Sequence, residues 1–96
     1  MRTVSLVHHR VADYDAWKQV YDSFADVQRE GGVVWQEVLR PADDPNMVVV
    51  GHWFESADAA KAFFDNPNLK DAMSRGGVDE SSVRIEFFQE EAAGQV

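Results

Sequence analysis

Three histidines are the residues of this chain best suited to acid–base chemistry near neutral pH. His8 and His9 sit side by side in the run Thr3 to Val11, and His52 lies near the end of a second apolar run that starts at Met47. A free imidazole titrates near neutrality, so a positioned histidine can take a proton from a phenol or an activated C–H group. A histidine on an apolar strand can equally be a structural group that hydrogen-bonds a neighbour, and the sequence leaves both readings open. A metal reading uses the same residues, two histidines with Glu37 or Glu86 as a facial triad, but no spacing is diagnostic and no metal is assigned. The chain has no cysteine, which removes disulfides, thiolate metal ligands and a cysteine nucleophile. It also lacks a Gly-rich phosphate loop, a nucleophile elbow and a zinc signature, so no cofactor is expected.

Aromatic residues supply the other candidates. Tyr14, Trp17, Tyr21 and Phe24 fall on one helical stripe. Tyr14 and Trp17, at the start of that helix, are placed to stack on a flat substrate, as are Phe63, Phe64 and Met73 later in the chain. A core and an apolar pocket wall look alike in sequence, so packing remains the other reading of all five. Arg40, Arg75 and Arg84 could hold a carboxylate or a developing phenolate, or form surface ion pairs.

The elements that must position these residues are legible from periodicity. Thr3 to Val11 is expected to be a strand, and Asp13 to Glu30 one helix capped by Asp13 and ended by Gly31-Gly32. Val33 to Arg40 and Met47 to Phe54 form a hairpin around the turn PADDPN. Ser56 caps a helix through Phe64, which Asn66-Pro67 breaks before a short continuation that closes at Gly76-Gly77. Ser82 to Gln89 is the last strand, with Val83, Ile85 and Phe87 on one face, and residues 91–96 are a flexible tail to a single domain of residues 1–90.

The order β-α-β-β-α-β predicts an α+β fold, a ferredoxin-like sandwich with a four-stranded antiparallel sheet and two helices on one face. Within that sheet, strands one and three are expected to be central neighbours running in parallel, which would bring His8 or His9 beside His52 at one sheet end. The third strand is apolar on both faces, so each face needs cover. Gly51 is taken to mark close approach of the helices, placing Met47, Val49 and Trp53 beneath them. Val48, Val50, His52 and Phe54 would then lie on the open face, an association surface expected to pair with a second copy of the chain.

Bulk properties narrow the partners. A formal net charge of -8 without a basic run disfavours nucleic acid and anionic membranes. No segment is long and apolar enough to span a bilayer, and a cytoplasmic protein is expected.

The segments PNMVVVGHWFESADAAKAFF and PNLKDAMSRGGV, Pro45 to Val78, resemble the antibiotic biosynthesis monooxygenase-like family of the dimeric α+β barrel superfamily. Shared features are the Pro45-Asn46 turn, the apolar strand to Gly51, an aromatic residue beside Glu55-Ser56, and the alanine-rich helix Ala57 to Phe64. The resemblance implies a homodimer joined through the sheets into a barrel, with a pocket between sheet and helices in each subunit. Some members oxidise polycyclic phenols to quinones with dioxygen and no cofactor, and others degrade haem. The haem-degrading members carry an iron-binding histidine where this chain has Phe63 or Phe64. The oxidising members have a tryptophan directly before the Glu-Ser pair, where this chain has Phe54, preceded by Trp53.

Together these readings predict a cofactor-independent small-molecule enzyme that oxidises, cyclises or isomerises a planar aromatic or polyketide-like substrate. His52, with His9 or His8, would abstract the proton. Tyr14, Trp17, Trp53, Phe54, Phe63, Phe64 and Met73 would contact the substrate. The alternative is a non-catalytic dimeric binding or accessory protein for a small hydrophobic ligand.

Overall fold

The structure, a computed structural model, describes residues 1–96. Strand β1 (Thr3–Val11) leads into helix α1 (Tyr14–Asp22), whose first turn is held by the Asp13 carboxylate accepting from the backbone N–H groups of Asp15 and Ala16. The expected single helix is two. The Ser23 hydroxyl donates to the Val20 carbonyl at 2.6 Å, and the Phe24 N–H bonds back three residues to Tyr21. A serine that competes for the helix's own carbonyls weakens the turn it sits on. The chain resumes as α2 (Ala25–Glu30), then passes through Gly31-Gly32, with Gly32 at φ 92°, into β2 (Val33–Leu39).

Strand β3 (Met47–Phe54) returns beside β2. Ser56 caps α3 (Ala57–Phe64), accepting from the Ala59 N–H at 3.1 Å. Asn66 then caps α4 (Pro67–Arg75), which opens on its proline where a missing N–H costs nothing. Strand β4 (Val78–Gln89) begins four residues earlier than expected. A register shift opposite His8–Arg10 accommodates the polar stretch Asp79–Ser82, where the Ser82 hydroxyl accepts from the Arg10 N–H.

The sheet has the order β2-β3-β1-β4, and each neighbouring pair is antiparallel. This is the ferredoxin-like α+β architecture. The expectation that β1 and β3 run in parallel is corrected. The helical crossover makes β2 parallel to β1 but one strand away, and the β2–β3 hairpin reverses β3 into the gap between them.

The assignment of faces is also reversed. Ser5, Val7 and His9 of β1 stand opposite His52, Val50 and Val48 of β3, and with Val11 and Phe54 they form the face under the helices. One buried cluster joins Val11, Trp17, Val48, Val50 and Val78; a second joins Phe54, Ala60 and Phe63. Met47, Val49, Gly51 and Trp53 instead lie on the open face with Leu6 and His8. Gly51 does mark a close approach, but by its own strand. A Cβ built there would meet the Trp53 indole at 2.8 Å and Leu6 at 3.6 Å. The indole two residues along covers the glycine, so the helices are not what the missing side chain makes room for.

Candidate functional site

Between the two buried clusters lies a cavity bounded by β1 and β3 below and by α1, α2 and α4 above. It gives the centres of water-sized molecules about 60 Å³. Its walls are apolar except at His9, His52, Gln28 and Tyr21, and no charged side chain lines it. Ile85 of β4 forms part of the wall and is 39% exposed, so the cavity reaches the surface beside β4.

Strand alternation explains how the two histidines come to share it. His9 lies opposite Val48, four residues from His52 on β3, and the helix-covered face carries every second residue of each strand. The antiparallel register therefore offsets their backbone positions by four residues, roughly 14 Å along the strand direction, rather than setting them at a common sheet end, while the buried rings stay near enough for His9 to act on His52. His9 packs 5.4 Å from the Trp17 ring, which stacks on Tyr21 at 5.0 Å. His52 packs 5.4 Å from Phe63 and 6.1 Å from Phe64.

Both imidazoles are at most 4% exposed, and neither ring nitrogen of either has a hydrogen-bond partner. Ser5 Oγ, on the same face opposite His52, is also buried and unpaired. An unmet buried polar group costs about 1–3 kcal/mol, so such a concentration within one small core calls for a reason. Burial lowers the pKa of His9 from 6.5 to about 4, with the charge of His8 adding to the effect. Burial does the same to His52, also to about 4, with His9 contributing. At neutral pH each ring is uncharged and offers one donor and one acceptor.

The other predicted site residues divide by location. Trp17, Phe64 and Met73 line the cavity with His9 and His52. Phe54 and Phe63 are fully buried behind it and hold the ring of His52 rather than forming the wall. Tyr14 packs against Trp17 and lies beneath the Arg40 guanidinium, 3.8 Å from its ring centre. Trp53 is on the open face, where its N–H donates to Glu90 at 2.8 Å. His8 is on that face too, 2.9 Å from Glu86, with Arg84 Nη2 3.4 Å from its ring nitrogens. Glu37 projects from β2 opposite Gly51, again on the open face, so the carboxylates of the metal reading stand across the sheet from His9 and His52. No three acidic or histidine side chains converge as a metal site.

Sequence reasoning missed Gln28, which is buried on α2 and faces the cavity. The signal was present: Gln28 follows Phe24 by four residues and Tyr21 by seven, on the apolar stripe. Burial raises the Tyr21 phenol to about 12, and its hydroxyl donates to Gln36 at 2.7 Å.

The model of the antibiotic biosynthesis monooxygenase family matches residues 11–75, more than half of the chain, and the protein belongs to that family. The fold is shared with solved structures of low identity. A variant of SnoaB, a cofactor-independent oxygenase from Streptomyces nogalater, superposes with a TM-score of 0.77 at 16% identity, covering 96% of this chain and 95% of that one. A Deinococcus radiodurans protein named for the same family gives 0.76 at 14% identity, with 98% and 97% covered. A conserved protein from Methanosarcina mazei gives 0.70 at 9% identity, with 95% of each chain covered. No curated protein sequence matches the chain. No helix is long and apolar enough to cross a membrane.

Proposed function

We propose that this protein is a cofactor-independent oxygenase that converts a planar phenol or activated methylene compound to a quinone or ketone. The observation that carries the reading is the pair of buried, unpartnered imidazoles in one apolar cavity. Family membership and the likeness to a cofactor-independent oxygenase point the same way.

In this reading His52 or His9, neutral at pH 7, accepts the substrate proton. The resulting anion raises the basicity of the imidazole beside it, because an opposite charge nearby favours the protonated ring. The electron-rich anion then reduces dioxygen. A carbon–oxygen bond forms, the imidazolium returns its proton to the peroxide, and loss of water leaves the carbonyl. Overall, a phenol and dioxygen give a quinone and water. Apolar walls exclude bulk water from the anion, and Trp17, Phe64 and Met73 hold its flat face.

The working unit is a homodimer joined through the open sheet face. Trp35, Leu39 and Phe88 are 58%, 52% and 46% exposed there, beside the partly covered Leu6, Val49 and Trp53. Such a contiguous apolar area favours association.

The test is oxygen uptake by the purified protein, freed of metals and flavins, with a panel of one-, two- and three-ring phenols. Uptake matched by quinone formation supports the reading. Ligand binding without uptake replaces it with a binding protein for small aromatic compounds.

A further inference from the structure

Ser5 is a buried polar group to which the oxygenase reading gives no task. It is fully buried on β1, and its Oγ has no hydrogen-bond partner. Alanine would fill nearly the same volume, and an unmet hydroxyl in such a place costs about 1–3 kcal/mol. Ser5 does not line the cavity, so it does not touch a ligand there. It stands directly opposite His52 in the β1–β3 register, and both side chains lie on the helix-covered face.

Opposite residues of an antiparallel pair have Cβ atoms about 4.5–5.5 Å apart. An imidazole carries Nδ1 next to Cγ and Nε2 at its far edge. A side chain as short as serine, rooted in the same sheet, reaches Nδ1 first and leaves Nε2 toward the cavity that His52 lines. Rotation of Ser5 about χ1 is the smallest movement that joins these two unpartnered groups. The other ring neighbours of His52, namely Phe54, Phe63 and Phe64, offer no hydrogen-bonding group. Gln36 of β2 is also opposite His52, but its Oε1 accepts from the Tyr21 hydroxyl, which leaves the amide nitrogen, a donor. The serine hydroxyl is therefore the free acceptor beside the ring. His9 has no counterpart: Val48 faces it on β3, and the register shift between His8 and Arg10 leaves it without a paired residue on β4.

We infer that Ser5 is a positioning residue for His52: its hydroxyl receives the Nδ1–H, holds the ring in one tautomer and leaves the Nε2 lone pair directed into the cavity. The inference deepens the oxygenase reading and rests on it for the source of the proton. In the transfer, the substrate O–H or C–H bond breaks, its electron pair stays on the substrate, and the proton bonds to Nε2. The Nδ1–H bond to Ser5 then comes from a charged ring and is about twice as strong as the neutral one. It thus favours the state after transfer over the resting state.

Nitrogen-15 magnetic resonance of histidine-labelled protein at pH 7 reads the tautomer without turnover. Wild-type His52 should carry its proton on Nδ1, the opposite of the form that a free histidine side chain prefers. Ser5→Ala should return it to the Nε2–H form and leave His9 as it was. Ser5→Thr, which keeps a hydroxyl, should retain the Nδ1–H form, and so should Gln36→Leu. In oxygen uptake with the phenols, Ser5→Ala should lower kcat about ten- to a hundredfold, the effect of one hydrogen bond to a charged group, with KM little changed. A wild-type His52 protonated on Nε2 would overturn the inference. So would a tautomer unchanged in Ser5→Ala, or one that responds to Gln36→Leu and not to Ser5→Ala. If Ser5→Ala does not fold, the wild-type tautomer and its persistence in Gln36→Leu decide the matter. The expected tautomers without oxygen uptake by the wild type would leave Ser5 positioning a ligand-binding histidine and remove the oxygenase reading. Uptake with a tautomer independent of Ser5 would do the reverse.

Discussion

His8 and His9 are neighbours in sequence and opposites in environment. His9 faces the helices, where it is buried, neutral and unpartnered. His8 faces the open side, bonded to Glu86 with Arg84 alongside. Their difference shows how a β-strand sorts one residue type into two tasks: alternation sends adjacent side chains to opposite faces, and each face then sets the chemistry. On the helix side, desolvation without a charge partner leaves a neutral ring with both nitrogens unpaired. On the open side, charge partners and solvent leave an ordinary polar pair amid apolar surface.

The contrast breaks most readily at the level of turnover. His52→Ala and His9→Ala should each lower oxygen uptake by about 10²–10⁴, the usual effect of losing a general base, whereas His8→Ala should change it less than about twofold. Loss of activity in the His8 variant equal to that in the other two would place the chemistry on the wrong face.

A second test concerns cover rather than catalysis. Trp35→Asp puts a charge into the exposed apolar patch and should convert a dimer to a monomer in sedimentation, while the far-ultraviolet circular dichroism is retained. A wild-type protein that sediments as a monomer would end the proposal of a sheet-to-sheet dimer.

The pH dependence sharpens the comparison further. His9 and His52 titrate near 4 in the folded protein against 6.5 for a free imidazole, so between those values the unfolded chain binds more protons. Their contribution to stability is thus fully present above about pH 6.5 and is lost as pH falls toward 4. Urea midpoints should drop between pH 7 and pH 4.5 by an amount equivalent to a few kcal/mol for the pair. His9→Phe and His52→Phe should each flatten the profile.

The smallest effect belongs to the open-face pair. In the monomeric Trp35→Asp background, Glu86→Gln should change the urea-derived stability by less than about 1 kcal/mol, because the carboxylate is substantially exposed. A loss of several kcal/mol would mean that the His8–Glu86 contact is a structural requirement of the sheet.

Much of this molecule was readable before any coordinates. Asp13, Ser56 and Asn66-Pro67 announced the starts of α1, α3 and α4, because caps and prolines act through the backbone within a turn or two. The family resemblance carried by Pro45 to Val78 falls largely within the residues that the family model matches. Other features were not readable because they depend on distant partners. The break at Ser23 divides one apolar stripe into α1 and α2, and the unbroken periodicity across Asp13–Glu30 concealed it. Gly51 pointed to a close contact without saying with what, and the answer was Trp53.

The sequence by itself determined the order of the elements, the alternation along β1 and β3, and the apolar character of both faces of β3. Those properties follow from the local period of the backbone and from side-chain polarity. Only the tertiary structure decided which face the helices take, that β1 and β3 run antiparallel, and that His9 and His52 meet across one cavity while His8 turns away. An alternating strand is symmetric to inspection, since either face can be the inner one. The symmetry is broken by the hairpin that reverses β3 and by helices packing over the sheet from elsewhere in the chain.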